Sequence, residues 1–255
     1  MGAVVLALFL FADDIGGSPR FCGGTHFRAM PRRHPATLFV RQHAALFALI
    51  ALNFLVFLGQ VIFPEHVFAR FEVVPAEITA TWRALLEGEA SPGGIAGFAP
   101  LLTYAFLHAD IQHVAFNMLY LWIFAYLVGE LLGQRWTLAI YPLTAVGGAL
   151  CYIVFNADST IPMLGASGAV TGFEGAYLGL AVRYSLPDPF VWPLSRPVPP
   201  MTLCVLALVG VFLDISGAFN PAGSNTAFTA HLGGFITGLA ITSFFTPFPK
   251  GASRR

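Results

Sequence analysis

Charge is what this chain has least of. Only 10% of its 255 residues are Asp, Glu, Lys or Arg, against about a quarter in a soluble domain. Thirteen basic residues balance thirteen acidic ones, so no basic excess offers a surface for nucleic acid. Cysteine is equally sparse. Cys22, Cys151 and Cys204 are too few and too scattered for a disulfide framework and read as thiols. No CxxC pair or Cys/His cluster points to a structural metal. The reading therefore includes no metal, no cofactor and no nucleic-acid partner.

What replaces charge is apolar surface. Hydrophobic residues make up 56% of the chain and the mean hydropathy is +0.73, which places the chain in a lipid bilayer. A hydrocarbon core about 30 Å thick needs roughly 20 apolar helical residues. Six stretches approach that length, at 44–63, 111–132, 138–156, 167–183, 198–217 and 228–246. Lipid leaves no partner for unpaired backbone groups, and these runs are too long and unbroken for barrel strands. The expectation is an all-α membrane protein, a bundle of six transmembrane helices.

The basic residues support that count. Arg20, Arg28, Arg32, Arg33, Arg41, Arg135, Arg183, Arg196, Lys250, Arg254 and Arg255 all fall on one side of a six-span topology, and only Arg70 and Arg83 on the other. The positive-inside rule then puts both termini in the cytoplasm. Residues 1–43 read as an N-terminal tail, 44–247 as the six-helix domain and 248–255 as a C-terminal tail. The opening "MGAVVLALFLFADD" is too short to span and lacks the basic start of a signal peptide. Synthesis is expected to begin at Met30, where "MPRRHPATLFVRQH" forms a basic lead into the first span.

The loop after the first span, 64–100, is far longer than a usual connection and on that ground is expected to be functional. Within it, Ile78, Trp82, Leu85 and Leu86 are spaced for one helix face. That face suits either an amphipathic helix on the outer membrane surface or a solvent-facing helix packed on its own loop. Segment 184–197, "YSLPDPFVWPLSRP", reads as a plain connector.

Polar groups inside spans are costly, so each is a functional hypothesis. His113 and Asn117 stand four residues apart at the outer end of the second span. Ser167 opens the fourth within "LGASGAVTG", and His231 lies near the outer start of the sixth. The topology puts all four at similar depth. A serine with a histidine supports acyl transfer, the histidine removing the hydroxyl proton and later protonating the leaving amine. His113 and Asn117 are donors suited to a developing oxyanion, and the N–H groups of a helix start favour negative charge beside Ser167. Gly165 and Gly168 allow close backbone approach to the serine. Gly168, Gly172, Gly175 and Gly179 in the fourth span, and Gly234 and Gly238 in the sixth, are small positions that favour tight helix packing. In isolation Ser167 would be structural and His231 a helix-pairing group or a metal ligand, the latter disfavoured because no carboxylate or cysteine partner lies at that depth.

Here the motifs carry a resemblance. "GASG" with Ser167, "AHLGGFITG" with His231, and His108, His113 and Asn117 in an HxxxxHxxxN pattern resemble the rhomboid family of intramembrane serine proteases. The likeness runs over roughly residues 40–247, with the three motifs in family order. It implies a rhomboid-like bundle and a Ser167–His231 dyad without a third carboxylate. The oxyanion hole it implies comprises His113, Asn117 and the Ser167 backbone N–H, and the substrates are transmembrane proteins. His108 is expected to support the site together with Gly165 and Gly168. Rhomboids often carry a tryptophan–arginine pair where this chain has Ala99-Pro100, and some have a tyrosine where it has Thr171.

Two acidic residues lie outside this scheme. Asp214, near the outer end of the fifth span, reads as an interfacial or helix-end group. Glu174, seven residues after Ser167, reads as a buried structural carboxyl, with a substrate-selecting floor as its functional alternative. The rival to a protease is a non-catalytic rhomboid-like protein that holds client transmembrane helices. Arginine outnumbers lysine twelve to one, which together with the resemblance suggests a bacterial inner membrane.

Overall fold

The computed structural model describes residues 36–89, 94–189, 198–218 and 228–254. By its internal contacts the chain forms two units, Met1–Gln42 and His43–Arg255. The described part of the first is a single helix, α1 (Ala36–Gln42). Met30 and Cys22 lie outside the described residues.

The second unit is a helical membrane bundle. Its long helices are α2 (Ala44–Ile62), α6 (Ile111–Leu132), α7 (Gln134–Phe155), α8 (Ser167–Arg183), α9 (Pro200–Ala218) and α10 (Phe228–Phe244). Between α2 and α6 run the shorter α3 (His66–Ala69), α4 (Pro75–Leu86) and α5 (Pro100–Thr103). The six long helices coincide with the six apolar stretches to within four residues. The largest discrepancy is the start of α7. Gly133 takes a φ of 92°, turning the chain in one residue. The helix therefore restarts at once through polar Gln134 and Arg135, which hydropathy does not register. Among the described residues α2, α6 and α7 are long and apolar enough to cross a membrane by length and composition alone. The 17 residues of α8 reach only about 26 Å, and they are mostly enclosed by other helices rather than by lipid.

Helix α8 is the centre of the bundle. Nearly every residue from Gly168 to Ala181 is buried, against α6, α7, α9 and above all α10. The small residues make this possible. A Cβ at Gly234 would overlap the carbonyl oxygen of Gly168, one at Gly238 that of Gly172, and one at Gly175 that of Phe235. Helices α8 and α10 therefore meet backbone to backbone, as small residues in membrane helices permit. At Gly172 the neighbour is Thr144 of α7.

A polar network fixes the segment before α6. Tyr141 of α7 donates to the Ala105 carbonyl at 2.7 Å and accepts from Asn53 of α2 at 3.1 Å. Tyr104 donates to the Ala145 carbonyl at 2.8 Å. Gln60 of α2 accepts from the His108 N–H at 2.9 Å.

The long loop is tied to the segment that leads into α8. Val73 and Met163 exchange backbone hydrogen bonds of 3.0 and 2.8 Å, and the Ala76 N–H donates to Ser159 at 3.0 Å. Ile78 of α4 is buried while Trp82, Leu85 and Leu86 are exposed. The four residues therefore do not share one environment: Ile78 packs inward, and the other three are exposed.

At the opposite end, 184–197 is not a plain connector where it is described. Tyr184–Ser185 (β1) pairs antiparallel with Ser253–Arg254 (β2). The Tyr184 and Phe248 rings meet edge to face at 4.9 Å, and the Lys250 N–H donates to the Leu131 carbonyl at 2.9 Å. The segment expected as a C-terminal tail folds back onto the ends of α6 and α8. A two-residue strand has no periodicity to read, and its partner lies far along the chain.

Gly238→Ala is expected to force α8 and α10 apart and to destabilise the bundle by about 3 kcal/mol, at the upper end of ordinary overpacking costs. Denaturant titration in detergent micelles, set against the wild type, measures it.

Candidate active site

Ser167 is the first residue of α8, where the leading N–H groups of a helix have no intrahelical acceptor. It is reached through Gly165, whose φ of 130° no L side chain adopts comfortably. The Gly165 N–H is held by the Tyr104 carbonyl at 3.0 Å. That anchor sets the angle at which the chain enters α8. His231, in the first turn of α10, comes from the facing helix. Its Nε2 lies 2.8 Å from Ser167 Oγ, within hydrogen-bond distance. The glycine contacts beneath the pair bring the two helix starts this close.

His113 enters from α6. The Asp110 carboxylate caps that helix, accepting from the His113 N–H at 2.7 Å. The Ala109 N–H points at His113 Nδ1 from 3.4 Å. With Nδ1 as acceptor, the neutral ring carries its proton on Nε2. That edge faces the serine: a Cβ built on Gly165 would lie 2.8 Å from His113 Nε2 and 3.8 Å from Ser167 Oγ. One small volume is thus bounded by the nucleophile candidate and a hydrogen-bond donor, and it is open only because residue 165 is glycine.

Asn117 stands one turn below His113 and is 7% exposed. Among the described residues its Nδ2 is buried without a hydrogen-bond partner. An unsatisfied buried donor costs about 1–3 kcal/mol, so it marks a place where an acceptor is expected to arrive.

The expected supporting residues have distinct roles. His108 is 1% exposed, with its ring edge-on to His113 at 5.2 Å between centroids. Gly168 makes room for the Tyr104 hydroxyl and the Ala230 carbonyl rather than for anything at the serine hydroxyl. Thr171, one turn below Ser167, places its hydroxyl 3.0 Å from the His231 carbonyl. Glu174 is buried. The Asp214 side chain lies outside the described residues. Among the described residues no His, Cys, Asp or Glu cluster could hold a metal ion. Tyr104, Tyr141 and Asn53 escaped the sequence reading because an aromatic or amide inside an apolar run looks like packing until its partner is known.

Residues 96–248, more than half of the chain, match the Rhomboid domain. The chain belongs to the rhomboid family. It is 31% identical over 150 residues to RHOMBOID-like protein 12, mitochondrial, of Arabidopsis thaliana, a match covering 52% of this chain and 42% of that protein. It is 33% identical over 138 residues to Rhomboid protease GluP of Bacillus subtilis (strain 168), covering 54% and 24%. It is 30% identical over 146 residues to Rhomboid-related protein 3 of Homo sapiens, covering 55% and 34%. The match spans less than half the length of each of these relatives. The matched region of this rhomboid begins within the loop before α6 and closes with the C-terminal fold-back, so it contains the whole polar cluster.

Burial and the neighbouring His113 together hold His108 of this rhomboid near a pKa of about 4, against weaker opposite pulls from the Phe106 carbonyl and Asp110. A histidine depressed in the folded state stabilises the fold fully above its unfolded pKa of about 6.5, and that stability is lost as pH falls. Thermal stability should therefore decline between pH 6.5 and about 4. The decline should be shallower in His108→Gln, as unfolding scans across that range will show.

Proposed function

We propose that this rhomboid is an intramembrane serine endopeptidase that cleaves peptide bonds in or near the transmembrane segments of other membrane proteins. The observation that carries the proposal is the 2.8 Å contact of Ser167 Oγ with His231 Nε2, made across two helices at the start of α8. The similarity to Rhomboid protease GluP supports it. The six long helices are taken as six spans, with both termini on the side that carries eleven of the thirteen basic residues.

In this reading His231, protonated on Nδ1, accepts the Ser167 proton at Nε2 as Oγ attacks the scissile carbonyl carbon. The carbonyl oxygen becomes an oxyanion. Its donors are His113 Nε2–H, Asn117 Nδ2–H and the Ser167 backbone N–H, of which Asn117 already waits without a partner. His231 then gives its proton to the leaving amine as the C–N bond breaks. Water, activated by the same histidine, releases the acyl chain and restores Oγ–H. A helical substrate has its carbonyls engaged in hydrogen bonds, so the bond cut should lie beside small or helix-breaking residues.

The test is reconstitution of the wild type and three variants with a tagged transmembrane substrate, with fragments read by mass spectrometry. Ser167→Ala and His231→Ala should give no fragment. Asn117→Ala should slow kcat by about 100-fold, the usual cost of one oxyanion donor. Cleavage by Ser167→Ala would exclude this serine as the nucleophile. A folded wild type inert toward several substrates and toward a fluorophosphonate would favour client binding without catalysis.

A further inference from the structure

The Ser167–His231 contact joins residues on two helices that are separate in sequence, so something must hold the relative height of those helices to a fraction of an ångström. The glycine interface permits close approach but is smooth. Glycines meeting backbone oxygens limit how near α8 and α10 come, and they restrain sliding along the helix axis only weakly. A directional bond between the two helix starts would supply the missing restraint.

Thr171 makes that bond. Its buried hydroxyl lies within hydrogen-bond distance of three carbonyls: Ser167 at 3.0 Å, Gly168 at 3.1 Å and His231 at 3.0 Å. A hydroxyl has one proton to donate. The Ser167 and Gly168 carbonyls belong to its own helix, where bonding back to the preceding turn is the ordinary habit of threonine. The His231 carbonyl belongs to α10, and only this third contact crosses between helices. Thr171 therefore touches the backbone of both residues whose side chains meet 2.8 Å apart above it. The surrounding packing fits this role. The Gly168 Cα is close to Gly148 of α7, and the Ala230 carbonyl, next to His231, is seated against both glycines.

We propose that Thr171 is the positioning residue of the dyad: its hydroxyl ties the His231 backbone to the helix that begins with Ser167 and so sets the height of the imidazole relative to Oγ. This rests on the protease reading. Thr171 touches neither a substrate nor the reacting atoms, so its loss should slow chemistry without weakening substrate binding.

The experiment compares Thr171→Val, which keeps the shape and removes the hydroxyl, with Thr171→Ser, which keeps the hydroxyl and removes the methyl. Each is purified in detergent and assayed for cleavage of a tagged transmembrane substrate, for the rate of covalent labelling by a fluorophosphonate, and for thermal stability. A misplacement of 1 Å costs on the order of 100-fold, and loss of this one restraint should lower kcat and the labelling rate by about tenfold in Thr171→Val. KM should stay unchanged, and Thr171→Ser should recover to within about twofold. A packing role alone predicts otherwise, with stability lost and the labelling rate of the folded fraction unchanged. Thr171→Val as fast as wild type would overturn the proposal, as would Thr171→Ser as slow as Thr171→Val. Should Thr171→Val not fold, Thr171→Ala takes its place under the same criteria. An active wild type with an indifferent Thr171→Val removes the tether alone. A folded wild type that neither cleaves nor labels removes the protease reading and the tether with it.

Discussion

The backbone contact between α8 and α10 is the constraint on which the rest of this bundle depends. Lipid tails are as apolar as leucine, so no hydrophobic force drives two membrane helices together. Close van der Waals approach and interhelical hydrogen bonds do that work. Here Gly234 and Gly238 press on the carbonyls of Gly168 and Gly172, and Gly175 accommodates Phe235 in return. No bulkier residues would allow that separation, and only at that separation does an imidazole in the first turn of one helix reach a hydroxyl at the start of the other. The close Ser167–His231 approach is a consequence of missing side chains below it.

Around this axis the remaining helices hold the groups that close proximity alone cannot place. α7 supplies Tyr141 and accepts Tyr104, two phenols that fix the segment ahead of α6. That segment in turn positions His113 through the Asp110 cap. The long loop after α2 reaches the same place from another direction, pinning the segment before Ser167 through Val73 and Met163. Gly165 is where these arrangements converge, held by Tyr104 and facing His113 with no side chain between. Among the described residues the Asn117 amide, one turn below His113, has no hydrogen-bond partner, a real cost of this arrangement.

The fold was largely legible because the bilayer imposes a simple rule. A chain that must bury its backbone polarity in lipid forms helices of a set length, so apolar run length located α2, α6, α8 and α10 closely. Where polar residues continue a helix, as at Gln134 and Arg135 of α7, the rule was silent. It was silent again for β1 and β2, whose two-residue strands are defined only by each other. The four principal candidate residues stood out in the sequence for a related reason: a polar group in an apolar run is conspicuous when nothing else explains it. Tyr104 and Asn53 did not stand out, since a tyrosine or asparagine in an apolar run has many ordinary partners, and Thr171 stood out only as a departure from the family pattern.

By itself, then, the sequence determined that this is a helical membrane protein and singled out a serine, two histidines and an asparagine as polar groups within its apolar runs, because hydropathy and spacing are properties of the chain read in order. Tertiary structure alone decided which nitrogen meets which oxygen. The 2.8 Å approach of His231 to Ser167, the open volume at Gly165, the orphan amide of Asn117 and the tie from Thr171 to the far helix all depend on distances between segments remote in the chain. Those distances are set by how glycine faces pack, and no local pattern of residues encodes them.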